Sequence, residues 1–110
     1  MTDGDGWLVC SLGHRHWGRF GAAGLLAVAP GPYVLLQHRA PWSHGGDTWG
    51  VPGGARTSTE TAEQAARRET AEETRLNQTS LELVDSHVAD HGAWTYTTTT
   101  AHDALPALAA

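Results

Sequence analysis

The stretch that most constrains this chain runs from Gly53 to Leu76, GGARTSTETAEQAARRETAEETRL, where a glycine pair precedes the cluster Arg68-Glu69-x-x-Glu72-Glu73. Thr61 followed by Gln64 fits a capping box, in which the hydroxyl satisfies an orphan helix amide and the carboxamide reaches back to the cap. From Ala62 to Thr74 the residues are mostly Ala, Glu, Gln and Arg, with no Gly or Pro. The segment is therefore expected to form a helix of about three to four turns. At ~100° per residue, Glu69, Glu72 and Glu73 fall within an arc of about 100°, and Ala62, Ala65, Ala66 and Leu76 project into or beside it.

An ordinary surface helix sets its charges opposite its small apolar residues, where i,i+4 pairs contribute ~0.2–0.5 kcal/mol each. Here the acids lie among them. Three carboxylates on one partly buried face repel one another, and Arg68 alone cannot neutralise all three. A hard divalent cation can, because Mg²⁺ or Mn²⁺ takes oxygen ligands from carboxylates, waters and phosphates. A glycine carbonyl in the preceding loop can approach such an ion closely, having no side chain in the way.

The pattern Gly54, Glu60, Arg68-Glu69, Glu72-Glu73 and Leu76 resembles the Nudix box of MutT-like pyrophosphohydrolases. Two positions depart from it. Thr70 stands where the family has a bulky aliphatic residue, which is expected to weaken helix packing. Arg75 replaces the glycine that closes the helix, where a left-handed residue costs a non-glycine about 1 kcal/mol or more. HRAPWSHGGDTWGVPGG, from His38 to Gly54, resembles the strand-loop-strand entry to the box in many bacterial Nudix proteins.

The resemblance implies that Glu69, Glu72 and Glu73 bind Mg²⁺ or Mn²⁺, with the Gly53 carbonyl as a further ligand. It implies that Arg68 orients the carboxylates and that Glu60 hydrogen-bonds the loop or that arginine. Gly54 and Glu60 belong to the structural part of the box. The implied reaction is hydrolysis of a phosphoanhydride in a nucleoside diphosphate or triphosphate derivative, the ions neutralising phosphate charge and acidifying water. Glu69 is the expected proton acceptor, so Glu69, Arg68 and Glu72 form the expected catalytic group.

The 110 residues are expected to form one domain, 1–110, with the box at 54–76. The longest apolar run, Ala22 to Ala29, is interrupted by Gly24 and is far shorter than the ~18 residues of a membrane span, and nothing resembles a signal peptide. The sole cysteine, Cys10, excludes an internal disulfide and points to a reducing cytoplasm. A net charge of −5, with every basic residue an arginine, excludes a basic patch for polymeric nucleic acid and leaves a small nucleotide as the expected partner. The small core and exposed tryptophans favour a homodimer.

Gly24 to Ala29 and Tyr33 to Arg39 read as strands joined by a Pro30-Gly31-Pro32 turn, and Trp49 to Val51 as a short strand after the Ala40 to Thr48 loop. Leu81 to Ala89 and Trp94 to Thr100 read as an antiparallel pair around Asp90-His91-Gly92-Ala93. The expected architecture is α/β: a Nudix-like α/β/α sandwich with a mixed sheet and one catalytic helix. The family fold continues with a further strand and helix, and often another acidic ligand, elements this chain is expected to lack. Asp85 and Asp90 are candidates for that ligand. If the shortened fold cannot turn over, the alternative function is a non-catalytic nucleotide-binding module.

Arg39 is a candidate phosphate contact, its alternative a surface ion pair. Trp42, with Trp49, Trp94 and Tyr96, offers flat faces for a nucleobase, although Trp49 and Trp94 are better read as core. Cys10, His14 and His16, in the unusual Gly13-His-Arg-His-Trp-Gly18 segment, carry zinc-ligand chemistry but lack a spaced fourth ligand. A packing or substrate-entry loop is the preferred reading there, with a zinc-binding protein as a third alternative.

Overall fold

The computed structural model describes residues 2–31, 33–39, 41–42, 46, 48–74 and 81–103. In chain order the elements are β1 (Trp7–Val9), β2 (Arg15–Trp17), β3 (Ala22–Ala29), β4 (Tyr33–Val34), β5 (Gln37–His38), β6 (Trp49–Gly50), β7 (Gly53–Ala55), α1 (Ala62–Thr74), β8 (Leu81–Asp90) and β9 (Thr95–Asp103). A five-stranded mixed sheet carries the fold. β3 pairs parallel with β9 along one edge, while β4 and β7 pair antiparallel with opposite ends of its other edge, and β8 pairs antiparallel with β9. β1 and β2 form a separate hairpin, and β5 and β6 a second two-stranded ribbon.

β3 is buried almost throughout, the pattern of a strand covered on both faces. Alternation divides its side chains between two cores. Ala23, Leu25 and Ala27 pack against Ala65 and Ala66 of α1 and against Leu81 and Ala101, while Ala22 packs with Cys10, Trp94, Leu8 and Tyr96 in a second cluster. The first core is built from alanines around one fully buried Leu25. Such small side chains let the helix lie close to the sheet, and Leu25→Ala would cost about 2–5 kcal/mol. The Thr-rich run sorts in the same way: Thr97 and Thr99, paired with Ala23 and Leu25, are buried.

The helix begins as its capping box dictates. Thr61 N donates to Gln64 Oε1 at 2.9 Å, and Gln64 N to Thr61 Oγ1 at 3.1 Å. Ala65, Ala66 and Thr70 form its buried face. Thr70 sits at the expected aliphatic position, fully buried, and its hydroxyl donates to the carbonyl of Ala66 at 2.7 Å. Arg75 and Leu76 lie outside the described residues. So does most of the Ala40 to Thr48 loop.

Several boundaries differ from expectation. Tyr33 to Arg39 is not one strand: Tyr33–Val34 pairs with β3, and after Leu35-Leu36 the chain moves to the ribbon, where Gln37–His38 pairs with Trp49–Gly50. Two short strands result because two different partners satisfy the backbone. The Gly53-Gly54 pair, expected in a loop before the helix, lies in the strand Gly53–Ala55, paired with Ala22–Gly24. Trp49 is not core: it is 64% exposed and stacks on His38 at 4.6 Å. Trp94 is core as expected, and β9 starts one residue later and runs to Asp103. Among the described residues one helix covers the sheet, and no helix is long and apolar enough to cross a membrane.

Candidate active site

β7 and α1 together build the carboxylate site, and the glycines explain why they approach so closely. A Cβ on Gly54 would stand 2.5 Å from the carboxyl carbon of Glu69, and one on Gly53 only 2.4 Å from the carbonyl oxygen of Ala23. Gly53 therefore admits β7 to the sheet, and Gly54 admits the Glu69 carboxylate to β7. Gly53 N also donates to Glu73 Oε2 at 3.3 Å, linking the glycine strand to a second helix carboxylate.

Arg68 ties the same elements from the side. Its Nε donates to Glu60 Oε2 at 2.7 Å and its Nη2 to Glu60 Oε1 at 2.9 Å, a two-point contact. The same Nη2 donates to the Ala55 carbonyl at 3.1 Å, and Nη1 donates to Glu69 Oε1 at 2.9 Å and Glu72 Oε2 at 3.5 Å. Glu60 is steadied further by the amide of Thr57 at 2.9 Å. The Arg68 hydrogen bonds hold the Glu60 carboxyl down at about 2, against the opposing effect of burial. Reciprocally, Glu60 raises the Arg68 pKa beyond its already high value.

The helix carboxylates are not equivalent. Glu69, with a side chain 19% exposed, and Glu73 line a cleft of about 780 Å³, whereas the Glu72 side chain is 59% exposed and stands outside it beside Arg68. Glu73 is exposed as a whole residue, but the protein packed around its carboxyl group and the neighbouring Glu69 charge push its pKa up to about 7. Arg68 is committed chiefly to Glu60 and Glu69, and among the described residues no ion pair to Glu73 is seen. Hard oxygen donors with surplus negative charge beside backbone glycines fit a divalent cation such as Mg²⁺ or Mn²⁺.

The cleft also has an aromatic lining. Trp94 and Tyr96 line it with His16, Trp7 and Trp17 of the first hairpin. His16 stacks flat on Trp94, with ring centres 4.0 Å apart and planes within 6°. Tyr96 reaches the glycine strands, its hydroxyl lying 2.9 Å from where a Gly53 Cβ would stand, and burial pushes its pKa up. Arg39 lines the cleft and is anchored by Nη1 to Thr48 Oγ1 at 3.0 Å. Trp42, 88% exposed, is not among the lining residues. Asp85 and Asp90 are on exposed β8, where their carboxylates accept from the amides of Ser86 and Gly92 at 2.8 Å each, and neither lines the cleft.

Sequence reasoning read His14 to Trp17 as a packing or substrate-entry loop; Arg15–Trp17 is instead a hairpin strand, with His16 and Trp17 lining the cleft. The available signal was local: Trp7–Val9 and Arg15–Trp17 are rich in strand-formers and flank Gly13, which adopts a positive φ of 82°.

Fold and site together define an α/β domain in which a glycine strand, a carboxylate helix and aromatic rings line one cleft. The NUDIX domain model matches residues 18–105, and the chain belongs to that family. It is 55% identical over 109 residues, 90% of this chain, to a Mycobacterium tuberculosis protein with the provisional name 8-oxo-dGTP diphosphatase 3. It is 45% identical over 101 residues, 86% of this chain, to a nucleoside triphosphate pyrophosphatase/Nudix hydrolase fusion protein of Bifidobacterium longum. It spans 50% of the first relative and 21% of the second. The crystal structure of RenU, a Nudix hydrolase from M. smegmatis, superposes with a TM-score of 0.81 at 50% identity, covering 92% of this chain and 72% of that one.

Proposed function

We propose that this domain catalyses divalent-metal-dependent hydrolysis of a phosphoanhydride bond in a nucleoside diphosphate or triphosphate derivative. The observation that carries the reading is the pair Glu69 and Glu73, crowded on the cleft wall with the Glu73 pKa raised to about 7, a charge pattern that calls for a cation. Mg²⁺ or Mn²⁺, held by Glu69, Glu73 and Glu72 with the Gly53 carbonyl, would supply phosphate neutralisation and acidify water. Arg68 fixes Glu69, and Arg39 is the phosphate contact on the cleft wall.

In the reaction, a water oxygen bonds to phosphorus, the bridging oxygen leaves with the electron pair of the broken P–O bond, and the water proton passes to Glu69. The aromatic wall holds the base by stacking. Of nucleoside triphosphates, one carrying an oxidised purine is favoured because the M. tuberculosis relative bears an 8-oxo-dGTP diphosphatase name.

The test is product release from 8-oxo-dGTP, dGTP, a dinucleoside polyphosphate and a nucleoside diphosphate sugar, with Mg²⁺, Mn²⁺ or chelator, comparing the native chain with Glu69→Gln and Glu72→Gln. Metal-dependent turnover reduced by several kcal/mol, on the order of 10²–10³ in kcat/KM, is expected for the variants. Absence of turnover on every substrate by a folded chain would overturn the hydrolase reading in favour of a nucleotide-binding module.

A further inference from the structure

The first hairpin gathers donors that phosphoanhydride chemistry does not use. β1 and β2 pair with Leu8 opposite His16, and the Cys10 amide donates to the His14 carbonyl at 2.8 Å, so the pairing runs on into the turn. Cross-strand partners share a face, and side chains two residues apart along a strand return to it. Cys10, His14 and His16 therefore converge on one side of the hairpin. The thiol sulfur and one ring nitrogen from each histidine all lie within 4.8 Å of one another.

Packing accounts for only part of this arrangement. Cys10 is buried with Ala22 and Trp94, and His16 is stacked on Trp94. His14 is exposed, with its ring edge-on to that of His16 at 6.4 Å, and it stands across from the buried thiol and completes the triangle of donors. In a tetrahedral zinc site, bond lengths of ~2.3 Å to sulfur and ~2.1 Å to nitrogen place donor atoms about 3.6 Å apart. Side-chain rotations of about an ångström close the difference.

We propose that Cys10, His14 and His16 form a zinc site, separate from the carboxylate cluster. One thiolate and two imidazoles suit a borderline-soft ion, whereas the carboxylates suit Mg²⁺ or Mn²⁺, so the two sites divide the metals by ligand chemistry. Three protein ligands leave the fourth position to water or to an exogenous ligand. Because His16 stacks on Trp94 and both line the cleft, zinc bound here fixes the orientation of one cleft wall.

Metal-stripped protein titrated with Co²⁺ tests the site. One equivalent is expected to produce a thiolate-to-cobalt charge-transfer band and intense tetrahedral d–d bands, both erased by one equivalent of Zn²⁺. Cys10→Ser removes the charge-transfer band, and His14→Ala, at an exposed position, weakens Zn²⁺ binding by roughly tenfold or more. Glu69→Gln leaves the charge-transfer band unchanged, which distinguishes this site from the carboxylates. No charge-transfer band from the folded native chain, or Zn²⁺ affinity undiminished in His14→Ala, overturns the proposal.

Discussion

Arg68 grips Glu60 through two nitrogens, at 2.7 and 2.9 Å, while one of those nitrogens also holds the carbonyl of Ala55. This contact joins the loop before the helix, the helix itself and the glycine strand, so the position of the carboxylates relative to Gly53 and Gly54 depends on it. A lysine would keep the charge but could not span Glu60 and Ala55 together with its point-like ammonium.

The Glu60 carboxyl, held at about 2 in the fold, sets a pH window. A depressed carboxyl stabilises the folded state above its ordinary pKa of ~4.5, and that contribution is lost as pH falls through about 2. Glu60→Gln should therefore cost about 1–2 kcal/mol near neutral pH, a figure reduced from the full shift because solvent screens the pair. Urea unfolding of both proteins from neutral to acid should show the difference closing between about pH 4.5 and 2. A gap that stays constant across this range would contradict the assignment.

The adjacent glycines should separate by consequence. Gly53→Ala drives its Cβ into the backbone of Ala23 and Gly24, which cannot give way cheaply, so a stability loss of about 1–3 kcal/mol is expected in thermal unfolding. For Gly54→Ala the nearest atoms all belong to the Glu69 carboxylate. Its melting temperature should change little, while Mg²⁺ affinity falls roughly tenfold or more by titration calorimetry.

Glu73 titrates in the opposite sense from Glu60. Its pKa is raised to about 7, so its contribution favours the metal-free fold below ~4.5 and is lost as pH rises through about 7. Metal-free protein should accordingly lose stability between about pH 5 and 8, and saturating Mg²⁺ should reverse the loss. Calorimetry near pH 6 in buffers of different ionisation enthalpy should detect proton release on Mg²⁺ binding, approaching one proton, and Glu73→Gln should abolish it.

The sequence exposes the helix and its acids because both rest on local chemistry: the Thr61–Gln64 cap, the alanines, and the fixed angular spacing of Glu69, Glu72 and Glu73. The spacing could not show that Glu72 turns outward with Arg68 while Glu69 and Glu73 face the cleft, since that choice is made by Gly54 and the Gly53 amide across the gap. Gly53–Ala55 becomes a strand only because Ala22–Gly24 is there to pair with it, and the parallel β3–β9 pairing joins residues more than 70 positions apart. Trp94 and Tyr96 were legible as aromatic faces, but the hairpin's share of the lining was hidden for the same reason. Trp7, His16 and Trp17 acquire a role only when the hairpin docks against Trp94.

Arg39 and Trp42 were equal candidates in sequence and are unequal in structure. Arg39 lines the cleft and Trp42 is almost fully exposed away from it. Arg39→Ala should raise KM roughly tenfold through loss of a charge-assisted phosphate contact. Trp42→Ala should leave both kinetic constants within about twofold. Steady-state kinetics on whichever nucleotide is turned over decides between them, and a large effect at Trp42 would move the base-binding surface to the loop.

Thr70 shows how the helix accommodates a polar residue at a buried position. Its hydroxyl is satisfied within the helix by the Ala66 carbonyl, so no polar group is orphaned, and the side chain is fully buried, so a longer one must displace its neighbours. Thr70→Val keeps the shape and removes both the hydroxyl and its need for a partner, so its effect on stability should stay within about 1 kcal/mol. Thr70→Leu adds volume to a core with nowhere to put it and should destabilise by about 1–3 kcal/mol. The ordering runs against the expectation that an aliphatic residue packs this helix better. Chemical denaturation of the two variants measures it directly: a leucine more stable than threonine would mean that the alanine layer holds unfilled space.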